Sequence, residues 1–69
     1  MEKLIQFIAH RYKCVVEWGQ DPKVMVNQAF GAVEMYATLH PDQYAECEEL
    51  WYEWHPKFLA TMKGYGAKV

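Results

Sequence analysis

Residues 44–58 read YAECEELWYEWHPKF, and the spacing inside this stretch decides the fold. Tyr44, Cys47, Trp51, Trp54 and Phe58 recur at intervals of three and four. Each helical residue advances about 100° around the axis, so such intervals set side chains along one stripe of an α-helix. Leu50 widens the stripe, while Asp42, Glu46, Glu49 and Glu53 keep the same rhythm on the opposite side. The helix is therefore aromatic on one face and carboxylate on the other. Two tryptophans and a phenylalanine carry a large apolar area that water disfavours, and the remaining chain has to cover it.

Upstream of this stretch, His40-Pro41 is a break, because proline pushes the preceding residue out of helical geometry. Pro41 then suits the first helical turn and Asp42 complements the positive end of the helix dipole, so the spacing predicts a helix over 41–54. His55-Pro56 interrupts it, yet Phe58 and Met62 prolong the same stripe. Residues 56–63 are thus either a kinked continuation or a short fourth helical segment. Lys63-Gly64 reads as a stop, and 64–69 as a flexible tail.

Asp21-Pro22 is a start signal for a second helix over 22–39. Its apolar positions Met25, Val26, Ala29, Phe30, Ala32, Val33, Tyr36, Ala37 and Leu39 span more than a third of the circumference. So wide an arc suits the middle of a bundle or an oligomer interface. Gly31 weakens the helix, and either admits another backbone at close range or sits on an exposed face for no reason of packing. Over 2–18, Leu4, Ile5, Ile8, Tyr12, Val15 and Val16 share a side in a third helical pattern, ended by Gly19. Residues 12–18 are rich in β-branched and aromatic residues that also suit a strand, but no other segment alternates to pair with it. Three helices joined by short loops predict an all-α, antiparallel three-helix bundle, with 1–63 as one domain.

The chain has 69 residues, a formal charge of −2 and 52% apolar or aromatic residues, including three Trp, five Tyr and three Phe. A domain this small hides only about 60% of its unfolded surface, so an apolar excess points to a partner surface, most simply a second copy. Nothing approaches the roughly 20 apolar residues of a membrane span. Gln6, His10, Arg11 and Lys13 interrupt what would otherwise be an apolar N-terminal run, and the reading is cytoplasmic. Cys14 and Cys47 read as small buried residues of a reduced protein.

No motif specifies a reaction or a cofactor. The chain contains no serine and no glycine-rich phosphate loop, so no enzymatic role is expected. His10 and Cys14, four apart, are half of a metal site at most, and carboxylates along one straight helix cannot wrap around an ion. Lys3, His10, Arg11 and Lys13 give the first helix a basic flank diluted by Glu2 and Glu17, which makes DNA binding, or DNA mimicry by the acidic face, an alternative. A small-ligand or metal carrier is a further alternative, with Glu48, Tyr52 and His55 beside the aromatic stripe. The expectation is a self-associating protein–protein interaction module. Its contact is expected at Met25, Phe30, Met35 or Tyr36, with Trp51 or Trp54, and the acidic face of Asp42, Glu46, Glu49 and Glu53 is expected to stay outside it.

Overall fold

A computed structural model of the chain describes residues 1–62. It contains α1 (Glu2–Trp18), α2 (Pro22–Leu39), a single 3-10 turn (Pro41–Gln43) and α3 (Tyr44–Thr61), the three-helix bundle that the periodicity predicts. No strand occurs among the described residues, and residues 12–18 are helical. The expected tail over 64–69 lies outside the described residues, as does Lys63.

The punctuation follows local chemistry. Gly19 ends α1 in the left-handed conformation at φ 70°, and its amide donates to the carbonyl of Val15 at 3.2 Å. Such a φ suits glycine, which has no Cβ to clash. Asp21 caps α2 by accepting from the Lys23 amide at 3.0 Å, with Pro22 at the first helical position. At His40 the helix stops ahead of Pro41, and the Gln43 amide bonds back to the His40 carbonyl at 2.9 Å. That tight turn moves the start of α3 from the expected Pro41 to Tyr44.

The largest departure is at Pro56. The helix expected to end at Trp54 runs unbroken through Pro56 to Thr61, so there is no separate fourth segment. Proline inside a helix removes a hydrogen bond and crowds the preceding turn, at a cost of about 3 kcal/mol. Here Pro56 is exposed, so the Tyr52 carbonyl it deprives faces water, while Phe58 beyond it is fully buried. Burial of that ring offsets the local penalty. Pro56→Ala is expected to stabilise the fold by about 1–2 kcal/mol, less than the full penalty because proline also restricts the unfolded chain. A chemical denaturation curve checks it, and a midpoint at or below that of the parent contradicts this account.

The core joins Leu4, Ile8 and Cys14 of α1 to Met25, Val26, Ala29 and Val33 of α2 and to Cys47, Leu50 and Phe58 of α3. Both cysteines are free and buried, and no buried residue among those described is polar. Across the bundle Tyr12 sets its ring edge-on against Trp54 and Phe58, with centroids 5.6 and 5.5 Å away. Ile5 and Val16, read from the sequence as part of the α1 stripe, are exposed. They lie past its edge at Tyr12 on the helical circumference.

Candidate functional site

Because the link from α2 to α3 is one tight turn, the second half of α2 lies beside the first half of α3. Their inner sides meet the core. Their outer sides leave a groove of about 790 Å³, and no residue of α1 lines it. Phe30, Glu34 and Met35 form one wall, Tyr44, Glu48, Trp51 and Tyr52 the other, and Val33 and Cys47 are buried beneath. The Phe30 and Trp51 rings meet at 5.3 Å, and Trp51 stacks on His55 at 5.1 Å and 19°. Such stacked rings hold each other in place.

Of the six residues expected at an interface, the groove takes Phe30, Met35 and Trp51. Met25 instead belongs to the core, because its position on α2 turns toward α1. Tyr36 is partly buried and works as a strut: its hydroxyl accepts from the Met1 ammonium at 2.7 Å and donates to Gln43 Oε1 at 2.8 Å. Trp54 packs on Tyr12 and carries Lys57 over its ring at 4.5 Å. Tyr44, placed by its spacing on the buried stripe, is exposed in the groove wall, as is Tyr52. The available signal was a second stripe on the same helix, Tyr44, Glu48, Tyr52 and His55, displaced from the core stripe by roughly a quarter of a turn.

The carboxylates of Asp42, Glu46, Glu49 and Glu53 are exposed, and Glu46, Glu49 and Glu53 project from the side of α3 away from the groove. Among the described residues no three His, Cys, Asp or Glu side chains converge as a metal site would require. Cys14 Sγ lies 3.9 Å from His10 Nδ1, and the His10 ring meets Trp18 edge-on. On the basic flank, Lys3, His10 and Lys13 are exposed. Arg11 is instead drawn onto Phe7, 4.7 Å above the ring, and donates to Gln28 Oε1 at 3.1 Å. Burial pushes the Cys47 thiol above its ordinary value and the Glu46 carboxylate adds to the shift, which keeps it in the less nucleophilic protonated form.

Fold and groove together define a small antiparallel three-helix bundle with an open groove between α2 and α3. No helix among the described residues is long and apolar enough to cross a membrane. No protein-family model matches the chain, and no curated protein or solved structure does so either.

Proposed function

We propose that this chain is a non-catalytic helical interaction module that self-associates through the outer face of α2 and α3. The observation that supports the reading is that four of the ten large apolar side chains exposed among the described residues gather in one place. Phe30 is 41% exposed, Met35 61%, Tyr44 57% and Tyr52 68%, and all four border one groove. Isolated exposed apolar residues are ordinary, whereas a contiguous set around a concave surface marks an interaction site. A second copy covers such a face with no other gene product, through one self-complementary contact. The acidic side of α3 stays in water, where it keeps like charges of the two copies apart.

Sedimentation at low micromolar concentration tests the reading. The expected result is a concentration-dependent species of twice the 8.2 kDa chain mass. A single species of the chain mass, unchanged with concentration, removes self-association. Salt-sensitive binding to duplex DNA in a mobility-shift series would instead favour the nucleic-acid reading.

A further inference from the structure

Among the described residues Glu34 and Glu48 are the charged side chains lining the groove, so two grooves meeting face to face would gather four carboxylates. The outer line of α2 supplies a way around this repulsion. Lys23, Asn27, Gly31 and Glu34 succeed one another at spacings of four, four and three, which puts them along one side of the helix. All four are exposed. Lys23 and Glu34 stand about 16 Å apart along the axis, and Asn27 and Gly31 occupy the interval between them.

Building on the self-association reading, we propose that two copies pack α2 antiparallel against α2, about a two-fold axis passing between Asn27 and Gly31. Lys23 of each copy then meets Glu34 of the other, with Glu48 nearby across the groove. The occupant of each groove is the first half of the other copy's α2, which brings the exposed Val24 toward Met35. Charge is matched twice by the one symmetry operation, whereas a parallel pairing would set Lys23 against Lys23 and Glu34 against Glu34. Gly31 fits the same arrangement. Among the described residues nothing outside its own helix backbone and chain neighbours lies within 4 Å of where its Cβ would stand, so packing among them does not demand glycine, a poor helix former. At the axis, a residue without a side chain lets two helix backbones approach closely.

The test uses the full chain with Lys23→Glu and Glu34→Lys, each alone and mixed in equal amounts, followed by sedimentation and native mass spectrometry. Circular dichroism first confirms that both variants remain as helical as the parent. Each alone is expected to raise the dimer dissociation constant roughly tenfold or more, since attraction at two sites becomes repulsion. The mixture is expected to recover parental affinity as a heterodimer, because each copy then presents the charge the other lacks at both sites. A parental dimer that neither variant weakens, or a mixture no tighter than the variants alone, overturns this register while leaving self-association in place. A parental chain that never dimerises overturns self-association itself.

Discussion

Phe58→Ala is expected to leave most of the chain unfolded near physiological temperature. Phe58 is 0% exposed and lies where α1 and α3 meet, with Tyr12 edge-on at 5.5 Å. Truncating a buried phenylalanine costs about 3–5 kcal/mol, through lost transfer free energy and the cavity left behind. The whole stability of a 69-residue chain is expected to lie at roughly 3–10 kcal/mol, so one ring accounts for much of it. Pro56 sharpens the effect, because burial of Phe58 offsets the local penalty of proline; without the ring the helix has little reason to continue past Trp54. Thermal unfolding followed by circular dichroism is the measurement, at one protein concentration because dimerisation would shift the midpoint. Glu49→Ala, on the exposed side of the same helix, is the control and should stay within about 0.5 kcal/mol. A Phe58→Ala chain that melts like the parent would refute this packing.

Phe30→Glu is expected to separate assembly from folding. Phe30 is 41% exposed and touches Trp51 at 5.3 Å, so the isolated bundle loses only part of one aromatic contact, about 1 kcal/mol. In the associated state the new carboxylate would be taken from water into an apolar contact beside Glu34 and Glu48. A charge buried without a partner is strongly unfavourable, and a dissociation constant raised about a hundredfold or more corresponds to 2.7 kcal/mol or more. Sedimentation reads the association and circular dichroism the fold. Unchanged association would place the contact elsewhere on the surface. Loss of helicity would show instead that Phe30 belongs to the core.

Much of this architecture is legible in the chain because helix punctuation is local. The left-handed turn at Gly19, the Asp21 cap with Pro22, and the stop at His40-Pro41 each depend on atoms a few residues apart. Their positions follow from backbone sterics and unpaired amide groups. The spacing of Cys47, Leu50, Trp54 and Phe58 likewise sets the phase of the α3 stripe before any neighbour is known.

Tertiary packing decided what periodicity leaves degenerate. On α3 the stripe through Cys47 and Phe58 and the stripe through Tyr44, Glu48 and Tyr52 lie close together around the axis, and both hold aromatic rings. A helix in so small a bundle buries one arc only. The side of the α2–α3 pair taken by α1 selects the first stripe and leaves the second beside the groove. Met25 is drawn into the core and Met35 left outside by the same selection. At Pro56 a local rule gave way to packing, because the lost hydrogen bond faces water while Phe58, one half-turn on, reaches the interior. The sequence by itself thus determined the number and order of the helices, the breaks between them and which positions can share a face, but not that α3 continues past Pro56. Only the tertiary structure decided which face is covered, because burial depends on where the other two helices stand, and no local spacing contains that.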